Sequence, residues 1–189
     1  MSRTPRGDAD AAFELLAAFV AEIPALPWFV AAGGTLTPSA IADAEAYVAA
    51  LGLAPCAVAP VAGWRAATEI AQRPDWSRDW WQAESAREKA LHRQGAARFG
   101  LAPLLAALTD VTETAAVLRD RAADVLGRAG VEDEALAKVA GGAAAQACHQ
   151  RALALLAGGD AGRAFAAKYA LFAAGRWPLG IVGGTCFVF

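Results

Sequence analysis

Glu84, Glu88 and His92 recur every four residues inside the stretch Pro74–Phe99. Carboxylates and an imidazole at that spacing share one side of a helix, where they can ligate a divalent cation or act as a general acid/base pair. Winding the stretch at about 100° per residue puts Trp81, Glu84, Glu88, His92, Gly95 and Phe99 on one face. The polar row is therefore bracketed by aromatic rings. Trp76, Trp80, Ala83, Arg87, Leu91 and Gln94 make the adjoining face, and Arg78, Gln82, Lys89 and Arg93 lie opposite as a solvated side. The second imidazole of the chain, His149, would have to join from another helix, flanked by Gln146 and Gln150. Glu84, Glu88, His92 and His149 are thus the candidate metal-ligand set. The spacing departs from the helical di-iron pattern, which uses Glu-x-x-His on two helices, and there is no HExxH. The plain alternative is a row of ordinary i,i+4 surface pairs, each worth a few tenths of a kcal/mol.

A second chemistry is aromatic. Three of the six tryptophans fall between Pro74 and Phe99, and Trp and Arg dominate the energetics of binding surfaces. A binding platform would use Trp76, Trp80, Trp81 and Trp177 with Gln146, Gln150 and Arg176. The alternative is that these large rings, with Trp64, fill gaps in a core built mostly from small residues. Cys148 reads as a small core residue and not a nucleophile. Gly180-x-x-Gly183-Gly184 lacks the following helix and the Lys-Ser/Thr of a phosphate loop.

The elements that must position these residues are helices. More than a quarter of the chain is alanine, which raises the hydrophobic share to 57%. Alanine loses no side-chain entropy on helix formation. Met1–Gly7 reads as a loose tail, followed by a helix capped by Asp8 or Asp10 and running to Glu22, with Phe13, Leu16, Val20 and Ile23 inward. Thr37-Pro38-Ser39 starts a second helix, because the missing proline N–H costs nothing in a first turn. Ile41, Ala44, Val48 and Leu51 face its core side, and Gly52 ends it. Pro55–Pro60 reads as a break and Val61–Gln72 as a third helix. Arg73-Pro74 stops that helix, with Asp75 as the cap of the Trp-rich one. Leu101–Gly127 reads as a single helix with a clean apolar stripe from Leu101 to Val125.

Between Lys138 and Arg151 no residue is charged. A helix apolar all round is one that others surround, so Val131–Gly158 is the expected central helix. Gly141-Gly142 inside it costs about 1 kcal/mol per glycine relative to alanine, a loss that a closely approaching neighbour would offset. Asp160 caps a last helix to about Ala174. Residues 177–189 then change character: β-branched and aromatic residues flank Gly183-Gly184, the signal of a two-residue hairpin turn. A lone hairpin is marginal in water, so this one must dock. The expected fold is all-α, a single-domain bundle of about six or seven helices with a C-terminal β-hairpin.

Composition bounds the rest. A net charge of −2 with interspersed signs offers no basic stripe for phosphates, which argues against nucleic acid. Cys56, Cys148 and Cys186 are odd in number and unclustered, as expected for reduced thiols in a cytoplasm. Two uncharged runs, Ile23–Ala42 and Ala46–Trp64, approach membrane-spanning length, but prolines and glycines interrupt both. With no catalytic signature and no cofactor motif, the first expectation is a cytoplasmic, bacterial-type helical protein that acts by binding. It would self-associate as a homodimer or engage a protein partner, with no nucleic acid and no membrane. The rival readings are a helical enzyme or metal/cofactor-binding protein using the Glu/Glu/His cluster, and a small-ligand sensor with a Trp-lined pocket.

Overall fold

The computed structural model describes residues 5–189 as a mostly helical domain with a small sheet near its C-terminal end. The helices are α1 (Pro5–Glu22), α2 (Pro38–Ala50), α3 (Trp64–Ala71), α4 (Arg78–Phe99), α5 (Leu101–Ala115), α6 (Leu118–Arg128), α7 (Glu134–Ala157) and α8 (Arg163–Ala173). The strands are β1 (Ala57–Pro60), β2 (Pro178–Val182) and β3 (Thr185–Val188). The first helix needs neither Asp8 nor Asp10 as a cap, since it already starts at Pro5. Of the expected tail Met1–Gly7, residues 1–4 lie outside the described residues, and residues 5–7 belong to α1 and not to a tail. Leu16, Phe19 and Ile23 carry the buried stripe of α1 and of the short 3-10 turn that follows it.

α7 is the central helix. It packs against α1, α4, α5, α6 and α8, and Asp133 caps it by accepting from the Leu136 amide at 2.9 Å. The glycine pair divides its roles. A Cβ on Gly141 would sit 2.6 Å from the Arg119 Cα, so the backbone of α6 runs directly over this position. Gly142 faces open space.

Three boundaries differ from the sequence reading. The apolar run Leu101–Arg128, which by length and composition could cross a membrane, is two helices broken at Ala116-Val117. Each half lays its buried residues on α7. Second, Ser77 and not Asp75 caps α4, its hydroxyl accepting from the Trp80 amide at 3.1 Å. The residues before the cap join the sheet: Ser77 N–H donates to Ile181 O at 2.9 Å and Gly183 N–H to Asp75 O at 3.1 Å. Third, Pro55–Pro60 holds strand β1, which pairs in parallel with β3. Its Pro60 falls at the strand end, where a missing donor is tolerated.

The expected hairpin is present. β2 and β3 pair antiparallel around Gly183-Gly184, with φ of 54° and 75°, the positive values that a tight hairpin turn demands. The sheet order is β1-β3-β2. Its outer edge along β2 is met by the bridge Trp76–Val182. Every residue of β2 is buried, so the hairpin is docked within its own chain.

Two apolar clusters meet across α8 and the sheet. One gathers α1, α5, α6 and α7 with Phe165, Phe172, Trp177 and Phe189. The other joins α2 to Trp80, Leu171, Ile181, Cys186 and Val188.

Candidate functional site: a tryptophan-lined cavity over a buried ion pair

α4 enters the molecule between the sheet and α7, and its first turns carry Trp80, Trp81 and Glu84. Trp80 is fixed from three sides. Its indole N–H donates to the Tyr47 hydroxyl of α2 at 2.6 Å. Its ring stacks on Trp76 with centroids 5.9 Å apart. Its far edge lies over Gly180, where a Cβ would come within 2.5 Å of the ring. Only glycine leaves room for the indole there.

Glu84 lies one turn further along and is buried, at 3% exposure. Its carboxylate meets the ammonium of Lys168 from α8, itself only 6% exposed. A charge this far from water needs such a partner and further hydrogen bonds to be tolerated. Lys168 Nζ also donates to Gln150 Oε1 at 3.0 Å, and Gln150 Nε2 donates to Glu88 Oε2 at 2.8 Å. On the other side Tyr47 lies beside Glu84, and burial together with that carboxylate pushes the Tyr47 pKa well above its ordinary value. Glu84, Lys168, Gln150 and Glu88 thus form one continuous polar chain from α4 through α8 and α7 back to α4, with Tyr47 of α2 beside its Glu84 end.

Above this chain is a cavity of about 530 Å³ lined by Trp76, Trp80, Trp81, Trp177, Pro178, Leu179, Val139, Ala143, Gln146, Glu84 and Lys168. Volume and lining are those of a small-molecule site: an apolar wall with a few convergent polar groups. Trp81 and Val139 stand at its mouth, 52% and 54% exposed. A polar annex of about 260 Å³ adjoins it, sharing Trp81, Glu84 and Gln146 and adding Ser85, Glu88, Lys89 and Gln150. A larger depression beside Gln82 and Arg93 is lined by α4 alone and has no second wall to hold a ligand.

The sequence-derived residues therefore sort into groups. Trp76, Trp80, Trp81, Trp177 and Gln146 come together around the cavity, and Gln150 lies behind it as the second partner of Lys168. Arg176 does not join them. Its guanidinium donates to Gly34 O and Thr35 O at 2.7 and 2.6 Å, which pins the loop before α2 to the start of the hairpin. Trp64 packs inside the core against Phe189, with ring centroids 4.6 Å apart.

The metal-ligand set is not assembled. Glu84 is held by Lys168 and Glu88 by Gln150, and among the described residues no three His, Cys, Asp or Glu side chains converge on one point. His149, half-buried, faces Glu88 and His92. Burial lowers its pKa from the ordinary 6.5, with Glu88 opposing and His92 adding to the shift. The folded protein therefore favours neutral His149, a preference present above pH 6.5 and lost as the pH falls below it.

The three cysteines are free thiols. Burial pushes Cys148 and Cys186 up to about 12, which leaves them protonated and inert at neutral pH.

Two partners escaped the sequence reading. Tyr47 was hidden on the apolar side of α2. Lys168 did leave a signal, because it is the lone charge between Ala164 and Gly175. A single lysine in an otherwise apolar helix has to find an anion. Compared with family models, curated proteins and solved structures, the chain gives no match.

Proposed function

We propose that the protein is a non-catalytic binding protein whose tryptophan-lined cavity takes a small, flat, apolar molecule bearing one polar group. One observation carries the reading: Trp76, Trp80 and Trp81, at and just before the start of α4, and Trp177 before β2 converge over a buried Glu84–Lys168 pair in a cavity of about 530 Å³. The rings supply area for stacking at little entropic cost. The ion pair, with Lys168 also held by Gln150, offers a polar floor with no net charge. Titrating a panel of bicyclic aromatics (indole, naphthol and quinoline) by ligand-observed NMR tests it. At least one should bind, and Trp81→Ala should weaken it at least fivefold at unchanged melting temperature. A panel that never binds, or binding indifferent to Trp81→Ala, would refute the reading.

A second reading rests on the exposed rim. Trp81 and Val139 would also receive an apolar side chain from a second copy or a protein partner. Light scattering at increasing concentration separates the two: a monomer throughout excludes self-association, and a dimer abolished by Trp81→Ala supports it.

A further inference from the structure

A different groove holds polar groups that no side chain or backbone group among the described residues satisfies. It lies between α1, α7 and α8, has a volume of about 350 Å³, and shares no lining residue with the tryptophan cavity. Its walls are one face of each helix: Leu15, Ala18, Phe19 and Glu22 from α1, Arg151 and Leu155 from α7, and Ala166, Tyr169 and Ala170 from α8. Helical spacing of three and four residues puts each set on one side of its helix.

Tyr169 is 8% exposed, and its hydroxyl is buried with no hydrogen-bond partner among the described residues. A buried hydroxyl left unpaired costs about 1–3 kcal/mol. Arg151 is half-buried in the same groove, on the α7 wall, and makes no ion pair or hydrogen bond among the described residues. Burial lowers its pKa from the ordinary value, while Tyr169 and Glu22 act in the opposite sense. Burial likewise raises Tyr169, with Cys148 and Glu22 adding to the shift and Arg151 opposing it. The phenol therefore stays protonated and can donate.

We propose that this groove binds a small monocarboxylate with an apolar body. The guanidinium presents paired donors matched to a carboxylate, the Tyr169 hydroxyl supplies a further donor, and Phe19, Leu15 and Leu155 cover the apolar part. Glu22 at the rim is the one acidic side chain lining the site among the described residues, and it disfavours a second negative charge. That selects monoanions over phosphate.

Calorimetric titration of the full chain with benzoate, hexanoate, benzamide and inorganic phosphate tests the assignment. Benzoate or hexanoate should bind. Benzamide, the neutral isostere, and phosphate should each bind at least tenfold more weakly. Arg151→Gln should reduce carboxylate affinity at least tenfold. Tyr169→Phe should reduce it about threefold or more without lowering the melting temperature, since it deletes an unpaired hydroxyl. Trp81→Ala should leave it unchanged, which keeps this result independent of the tryptophan cavity. The proposal is overturned if neither carboxylate binds, if benzamide or phosphate binds as well as benzoate, or if Arg151→Gln or Tyr169→Phe has no effect on affinity. Loss of carboxylate binding in Trp81→Ala would overturn it too, because the ligand would then sit in the other cavity.

Discussion

Taking the ammonium away from Lys168 leaves the Glu84 carboxylate facing tryptophan rings with no cation to balance it. Breaking a buried pair by removing one partner costs about 3–5 kcal/mol, whereas replacing both members with apolar residues of similar size is often near neutral. Lys168→Met should therefore lower stability by roughly 3–5 kcal/mol. The double variant Glu84→Met/Lys168→Met should be less destabilised than Lys168→Met alone. It should not reach the parent, because Gln150 Oε1 would lose its Lys168 donor. Urea denaturation of both variants measures this. A double variant no more stable than Lys168→Met would show that the two charges are not energetically coupled.

The glycine pair of α7 poses a test at the scale of the element. Gly141 is crossed by the backbone of α6, and a Cβ there would meet the Arg119 Cα at 2.6 Å and its nitrogen at 3.0 Å. Backbone cannot swing aside, so Gly141→Ala must push two helices apart. Overpacking of this kind costs about 1–3 kcal/mol, against a gain of about 1 kcal/mol in helix propensity. Gly142→Ala meets nothing and should stabilise by up to about 1 kcal/mol. Opposite signs for neighbouring, chemically identical substitutions are the expected outcome in thermal melts, and equal signs would contradict the packing described. The close approach itself was readable in the sequence, since two glycines inside an uncharged helix ask for a neighbour. So were the Thr37-Pro38 start, the central place of α7 and the Gly183-Gly184 turn, all set by local chemistry. What was not readable depended on residues distant in the chain. β1 is a strand only because β3 lies beside it, and Asp75 lost its cap role because Gly183 and Ile181 draw the segment before α4 into the sheet. The candidate site followed the same division. The tryptophans advertised themselves, but the partners of the two carboxylates lie on other helices, Lys168 of α8 for Glu84 and Gln150 of α7 for Glu88.

The whole molecule is organised so that its two apolar clusters share walls. α8 sends Phe165 and Phe172 into one and Leu171 into the other. β3 does the same at the end of the sheet, placing Cys186 and Val188 against α2 while Phe189 enters the larger cluster. Phe189 is also tied through its backbone, exchanging hydrogen bonds with Trp177 at 2.6 and 2.8 Å. Neither cluster can open without stripping a face from the other. The molecule should therefore unfold in one cooperative step, as small domains with a shared core do. Phe189→Ala provides the measurement, at a cost of about 3–5 kcal/mol for a buried phenylalanine. Native-state hydrogen exchange resolved by residue should show lower protection in α5, which belongs to the cluster that loses the ring. It should show the same drop in α2, which belongs to the other cluster, because the slowest amides exchange through global opening. If protection in α2 stayed at the parent level while α5 fell, the clusters would be separate folding units and the shared-wall account would fail.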